Sequence, residues 1–185
     1  VLKERVFEMA FLEYGCLESM ANPTGRKIYF LTDPIEDSEV NWEDYRRNYQ
    51  ATFTAQLLYP DINDYEVMPW PNRIYVRPHR LSPNSDEKTV IPRHYATQMQ
   101  VMINALNMMP KSGNHVSGAQ GISVLLSNSI MFQQPFMGEG DSYLVNFFGL
   151  AMPLIKQGIP LGILHLENVG YEETWRDQRV LLMTY

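Results

Sequence analysis

The chain has 185 residues, of which 45% are hydrophobic and 19% charged, so it can bury a core and is not a disordered segment. Its formal net charge is -6, which gives no general attraction for a phosphate backbone and disfavours nucleic acid as a partner. The single cysteine excludes an intrachain disulfide and a cysteine-rich metal centre, so a reducing, cytoplasmic location is slightly favoured.

The first part of the chain alternates predicted helices with short predicted strands. Charged side chains within residues 1–20 exclude a signal peptide or a membrane span there, while the apolar residues between them fall near helical spacing. Residues 78–91 are polar and contain proline, which predicts a long loop. The predicted elements are a helix at 1–20, a strand at 28–32, a helix at 42–59, a strand at 65–68 and a helix at 92–109.

Residues 111–120 are rich in Ser, Gly and Asn and predict a linker between a first domain, 1–110, and a second domain, 121–185. The strand–helix alternation then restarts. The predicted elements are a strand at 122–126, a helix at 142–157, a strand at 161–166 and a strand at 180–185. Continuous apolar strands that alternate with helices indicate a parallel sheet covered on both faces, and therefore the α/β class.

Both ends of the chain lack elements that would complete a sheet. The first domain has two predicted strands, too few to close a sheet. The last predicted strand is apolar and needs partners on both sides. We therefore expect the chain to be an internal piece of a larger α/β protein.

Three carboxylates follow the predicted strand at 28–32. They are Asp33, Glu36 and Asp37. In parallel α/β units, function gathers at the carboxyl ends of strands, so these groups are candidates for a nucleophile or a general acid. Crowding raises the pKa of some carboxyls and leaves others ionised, and the same groups could also bind sugar hydroxyls. The alternative is a solvated acidic loop in which Asp33 caps a turn.

The second candidate region follows the predicted strand at 65–68. Trp70 is flanked by prolines, which makes a rigid apolar platform on which a sugar ring can stack, and Arg73 can hold a carboxylate or hydroxyl beside it. Glu66 lies inside the strand pattern and either points into a barrel or pairs with Arg73. The alternative for Trp70 is a core side chain under a loop.

Other residues with reactive side chains show no motif. Cys16 lies on a predicted helix without a plausible histidine partner, and His165 lies inside an apolar strand, which is typical of a core histidine. The histidines lack the spacing of metal ligands, so we expect neither a metal nor a cofactor. Residues 127–129 end a predicted strand but form no nucleophile elbow.

Two parts of the chain resemble parts of known enzymes. Residues 26–37, 42–60 and 65–75 resemble the closing part of a (β/α)8 barrel, the TIM barrel, in bacterial glycoside hydrolases. Residues 121–185 resemble the start of the flavodoxin-like, glutamine-amidotransferase-like domain that follows the barrel in beta-galactosidase-like enzymes, often called the trimerisation domain. The second resemblance is carried by residues 122–129, 149–151 and 158–160.

The resemblance implies hydrolysis of O-glycosidic bonds by a carboxylate pair at the ends of the fourth and seventh barrel strands. With 28–32 as the seventh strand, Asp33 or Glu36 takes the place of the nucleophile, and the acid/base residue precedes Val1. The nucleophile of the family is usually Glu, whereas Asp33 fits the strand end better than Glu36. Trp70 matches the aromatic residue at the end of the last strand.

The resemblance also implies a carbohydrate substrate and a homo-oligomer formed through the second domain. That domain lacks the Cys and His of a working amidotransferase at matching places, which indicates a structural or oligomerising role. We expect the isolated chain to be inactive. Two other functions stay open: a non-catalytic carbohydrate-binding or oligomerisation module, and a flavodoxin-like protein that binds a flavin or nucleotide near residues 127–129.

Overall fold

The computed structural model describes residues 5–32, 41–67, 71–111, 113, 121–129 and 145–183. Helices and strands alternate along this part of the chain, which confirms the predicted α/β class. The helices are α1 (Val6–Ala21), α2 (Trp42–Gln56), α3 (Pro71–Tyr75), α4 (Arg93–Met108), α5 (Val145–Lys156) and α6 (Glu172–Trp175). The strands are β1 (Phe30–Leu31), β2 (Tyr65–Glu66), β3 (His79–Arg80), β4 (Lys88–Thr89), β5 (Ile122–Leu126), β6 (Gly162–His165) and β7 (Val180–Met183).

The described residues divide into two compact units. The first unit contains residues 5–11 and 29–111 with residue 113, and the second contains residues 12–28, 121–129 and 145–183. Residues 12–28 belong with the second unit, although they lie within the predicted first domain, 1–110. Nothing in the local sequence reports this assignment, because it depends on tertiary contacts far along the chain.

In the first unit, β1 and β2 form a parallel pair. Phe30 lies opposite Tyr65 and Leu31 opposite Glu66. Phe30 is buried and meets the rings of Tyr59 and Tyr65 edge-on, at centroid distances of 5.5 and 6.4 Å. Both strands are shorter than predicted. In β1, Leu31 is exposed although it is apolar, so its side-chain type does not indicate that it is buried.

The aromatic core of the first unit lies between α2 and α4. Asn41 caps α2, because its side-chain oxygen accepts a hydrogen bond from the amide of Asp44 at 3.1 Å. Trp42 donates from its indole nitrogen to the Thr89 carbonyl at 2.7 Å, which ties α2 to β4. The cluster of buried residues comprises Trp42, Tyr45, Tyr49, Ile74, Tyr95, Met99 and Met102.

The predicted loop at 78–91 contains two further strands, so that prediction is wrong in part. β3 and β4 form an antiparallel pair in which His79 lies opposite Thr89 and Arg80 opposite Lys88. Each strand has only two residues, which is too short to show an alternation of apolar and polar side chains. The polar composition therefore indicated a loop.

The second unit is built on a parallel sheet with strand order β6-β5-β7. Parallel pairing of all three strands confirms the prediction from their continuous apolar runs. The central strand β5 is the most buried, and Val124 on it is fully enclosed. Gly158 has φ of 73° and follows α5, a conformation that glycine adopts readily where a helix ends.

Within the described residues, none of the helices has both the length and the apolar character needed to span a membrane.

Candidate functional site

Four of the six residues predicted for a carbohydrate site lie outside the described residues. These are Asp33, Glu36, Asp37 and Trp70. Glu66 is exposed on β2, and Arg73 is partly buried on α3. The structure therefore shows the strand ends from which the predicted site segments start, and two of the side chains near them.

The carboxyl ends of β1 and β2, called here the β1–β2 edge, lie side by side. The strands run parallel in register, and the Thr32 amide donates to the Glu66 carbonyl at 2.8 Å. Thr32 is the last described residue before Asp33, and Val67 is the last before the segment that contains Trp70. Thr32 and Val67, the described residues that precede the two predicted segments in the sequence, therefore lie at the same edge of the strand pair.

Two side chains of α2 hold the β1–β2 edge. The Thr32 hydroxyl donates to the Gln56 side-chain oxygen at 2.8 Å, and both residues are 0% exposed. The Tyr49 hydroxyl donates to the Val67 carbonyl. These buried hydrogen bonds fix the backbone one residue before Asp33 and three residues before Trp70. Gln56 was not among the predicted site residues; the available signal was a polar side chain on the buried face of a helix.

The carboxyl ends of β5 and β6, called here the β5–β6 edge, gather a second group of polar residues. Cys16 of α1 lies next to His165, the last residue of β6, with 3.5 Å between Sγ and Nε2. The other ring nitrogen, Nδ1, lies 3.9 Å from a carboxylate oxygen of Glu167. The interpretation that Cys16 has no plausible histidine partner is therefore wrong. These residues are 149 positions apart, so no local pattern connects them.

The electrostatics of this group do not favour a nucleophilic thiol. Burial, and secondarily the Glu13 carboxylate, raises the pKa of Cys16 to about 11. Burial lowers the pKa of His165, although its backbone contact with Cys16 and the charge of Glu167 act in the opposite direction. Near neutral pH the thiol and the imidazole are both uncharged, whereas nucleophilic catalysis requires the thiolate.

The Glu167 side chain binds the residues that follow β5. One of its carboxylate oxygens accepts from the Asn128 amide at 2.6 Å and from the Ser127 hydroxyl at 2.8 Å. Slight burial raises the pKa of Glu167, but hydrogen bonds from its own amide, Asn128 and Ser127 outweigh this and lower it. A phosphate bound at this strand end would meet a negative charge that already uses the amide donor, which argues against a flavin or nucleotide there.

The segment that follows β6 also binds the end of α1. The side-chain nitrogen of Asn168 donates to the carbonyls of Ser19 and Met20, at 2.9 and 3.1 Å. Trp175 donates from its indole nitrogen to the Asn168 carbonyl at 3.0 Å. The last carbonyls of a helix lack intrahelical donors, so Asn168 acts as a C-terminal cap built from distant sequence.

Among the residues that the structure describes, no three His, Cys, Asp or Glu side chains are grouped in a way that could hold a metal ion. The chain matches no profile of a known protein family, no curated protein and no solved structure.

Proposed function

We propose that the chain is part of a glycoside hydrolase that cleaves O-glycosidic bonds, with its sugar site at the β1–β2 edge. Asp33 or Glu36 supplies one carboxylate of the catalytic pair, and Asp37, Glu66, Trp70 and Arg73 contact the substrate. No metal or cofactor enters this chemistry, because protonation of the leaving oxygen and stabilisation of the sugar cation need only carboxyl groups.

The observation that supports the proposal most is the parallel register of β1 and β2. The hydrogen bond from Thr32 to Glu66 joins the two strand ends, so the acidic segment and the Trp70 segment start from one edge. Active sites of parallel α/β proteins collect at such edges. An aromatic platform next to carboxylates is the combination that a sugar requires, since the ring offers an apolar C–H face and a hydroxyl rim.

The same proposal includes a finer architecture. β1 and β2 would be the closing strands of a (β/α)8 barrel, and the second unit the start of a flavodoxin-like domain that assembles homo-oligomers. The sheet order β6-β5-β7 supports the second assignment, because the first strand of the flavodoxin-like order lies between the second and third.

A turnover assay tests the proposal. The protein in its natural length is incubated with p-nitrophenyl glycosides, beginning with the β-galactoside, and compared with Asp33→Asn and Glu36→Gln. We expect one of the two variants to lose at least about a hundredfold in kcat, because general acid–base or nucleophilic carboxylates contribute that much or more. Glu87→Gln is the matched control, since Glu87 is exposed between β3 and β4.

The outcomes separate the remaining functions. Turnover that falls by less than about tenfold in both variants contradicts the catalytic role of these carboxylates. Sugar binding that depends on Trp70, with no turnover of any glycoside, indicates a carbohydrate-binding module. If the protein neither binds a sugar nor turns over a glycoside, the hydrolase and the carbohydrate-binding module are both contradicted.

A further inference from the structure

Glu66 and Arg73 are the two residues of the proposed sugar site that the structure describes, and each lies at a carbonyl held by an aromatic side chain. Val67 follows Glu66, and its carbonyl accepts a hydrogen bond from the Tyr49 hydroxyl. The Arg73 carbonyl oxygen lies 3.3 Å from Nε2 of His79. A carbonyl oxygen can only accept, so Nε2 carries the proton and donates. We call Tyr49 and His79 the carbonyl anchors.

The rings of both carbonyl anchors are packed against other rings of the first unit. Tyr49 is 1% exposed and meets Tyr95 edge-on, with the ring centroids 6.3 Å apart. The His79 ring meets Trp42 edge-on at a centroid distance of 5.3 Å and lies 5.0 Å from the ring of Tyr45. A ring packed in this way has few accessible rotamers, so the polar atom at its tip keeps a defined position.

The helix that carries Arg73 depends on contacts of this kind. α3 has five residues, which is too short for a helix to be stable by itself. At its end, the Arg77 amide donates to the Asn72 carbonyl at 3.0 Å rather than to Arg73. His79 supplies a donor to the Arg73 carbonyl in this last turn, where helical carbonyls lack intrahelical partners. Because Ile74 is also buried in the aromatic core, contacts with that core fix both the position and the end of α3.

Tyr49 has the corresponding role at the carboxyl end of β2. The Thr32 amide donates to the Glu66 carbonyl at 2.8 Å, and the Tyr49 hydroxyl donates to the next carbonyl, that of Val67. Two consecutive carbonyls are therefore held, one by the neighbouring chain and one by a side chain of α2. The bond from Tyr49 fixes the backbone directly after Glu66, beyond the last paired residue of β2.

We propose that Tyr49 and His79 are positioning residues for the substrate: through the backbone they place the Glu66 carboxylate and the Arg73 guanidinium against the sugar and so set its affinity. This role rests on the function proposed above. Loss of an anchor leaves both charged side chains in the protein but displaces them, and a displacement of about 1 Å weakens a directed hydrogen bond. Because the anchors act through substrate contacts and not through the catalytic carboxylates, they affect KM and not kcat.

KM and kcat of the protein in its natural length test this role, with the p-nitrophenyl glycoside that the unsubstituted protein cleaves fastest. Tyr49→Phe removes one hydroxyl and keeps the ring, and His79→Phe removes the N–H donor and keeps a ring against Trp42 and Tyr45. We expect each variant to raise KM by about threefold to tenfold and to leave kcat within about twofold, because one hydrogen bond is lost. His79→Gln keeps an N–H donor, so its KM should stay within about twofold of the unsubstituted value.

Tyr59→Phe is the matched control. The Tyr59 hydroxyl also donates to a backbone carbonyl, that of Phe11 on α1, and both residues belong to the first unit. The substitution therefore removes the same kind of bond at a carbonyl that is not next to a proposed site residue. We expect its KM to stay within about twofold, although the free energy of unfolding, measured by urea titration, falls as in Tyr49→Phe.

A KM that is unchanged in Tyr49→Phe or in His79→Phe overturns the positioning role of that residue, while turnover by the unsubstituted protein leaves the proposed function standing. An equal rise of KM in Tyr59→Phe overturns both roles, because the effect then follows a general loss of stability. If the unsubstituted protein turns over no glycoside, the proposed function fails first and the positioning roles fail with it. If His79→Phe does not fold, Tyr49→Phe and its control decide, since that change removes a single oxygen.

Discussion

Both units place polar side chains at the carboxyl ends of parallel strands, but the groups that hold the two edges differ. At the β1–β2 edge the contacts are neutral: the Thr32 hydroxyl to Gln56, and the Tyr49 hydroxyl to the Val67 carbonyl. At the β5–β6 edge they involve His165 and the Glu167 carboxylate, both of which titrate.

The difference separates an edge held by neutral groups from an edge held by groups that ionise. Thr32 and Gln56 are 0% exposed and do not ionise, so their hydrogen bond keeps its geometry at any moderate pH. Such invariance would suit the catalytic carboxylates that we propose for this edge. The contacts of His165 and Glu167 involve groups that can change their charge, so their strength depends on pH.

The largest expected effect concerns the β1–β2 edge. Gln56→Ala removes the acceptor of the buried Thr32 hydroxyl and leaves a small cavity, so we expect a loss of about 1–3 kcal/mol in the free energy of unfolding. Gln50→Ala is the matched control on the exposed face of α2 and stays within about 0.5 kcal/mol. Urea titrations at about pH 5.5 and about pH 7.5 should give the same loss. A loss that changes with pH would remove the contrast between the edges.

The next effect tests the packing of the sheet that forms the β5–β6 edge. A Cβ at Gly162 would lie 2.5 Å from the Ser123 hydroxyl oxygen, and this hydroxyl donates a hydrogen bond to the Gln178 side-chain oxygen at 2.7 Å. Gly162→Ala should therefore cost about 1–3 kcal/mol. Gly149→Ala on α5 meets nothing within 4 Å and should instead stabilise by roughly 0.5–1 kcal/mol, because alanine is the better helix former. Equal effects in thermal unfolding would show that the close packing of β5 and β6 is not as described.

The smallest effect concerns Glu13, one turn before Cys16. Burial raises the pKa of Glu13, so the folded chain holds this carboxyl less readily in its charged form. Its contribution to stability is present at acidic pH and is lost as the pH rises through the raised pKa. Glu13→Gln should raise the free energy of unfolding at about pH 7, by less than about 1 kcal/mol because the group is partly exposed, and should have no effect near pH 4. Urea titrations at the two pH values measure the difference. A destabilised variant at neutral pH would assign Glu13 a favourable contact instead.

The sequence predicted the second unit better than the first, for physical reasons. The strand β5 and the second half of β6 are buried, so continuous apolar runs indicated their positions and their parallel direction. The strands β1 to β4 have two residues each, and their neighbours alternate too briefly to set a period.

The functional groups divide in the same way. Carboxylates and an aromatic residue after a predicted strand are visible in the sequence, which is how Asp33 and Trp70 were selected. The approach of Cys16 to His165 is not visible, because it joins residues 149 positions apart and neither belongs to a motif. The cap that Asn168 supplies to Ser19 and Met20 was missed for the same reason.

Sugar binding by the 185-residue chain tests the central claim, a carbohydrate site at the β1–β2 edge, most directly. Galactose and its β-methyl glycoside are titrated into the chain and into Trp70→Ala by isothermal calorimetry. We predict saturable binding by the unsubstituted 185-residue chain and at least about a tenfold weaker affinity in Trp70→Ala, because a stacked aromatic ring contributes on the order of 1.5 kcal/mol. Saturable binding that is the same in Trp70→Ala would contradict the proposed site.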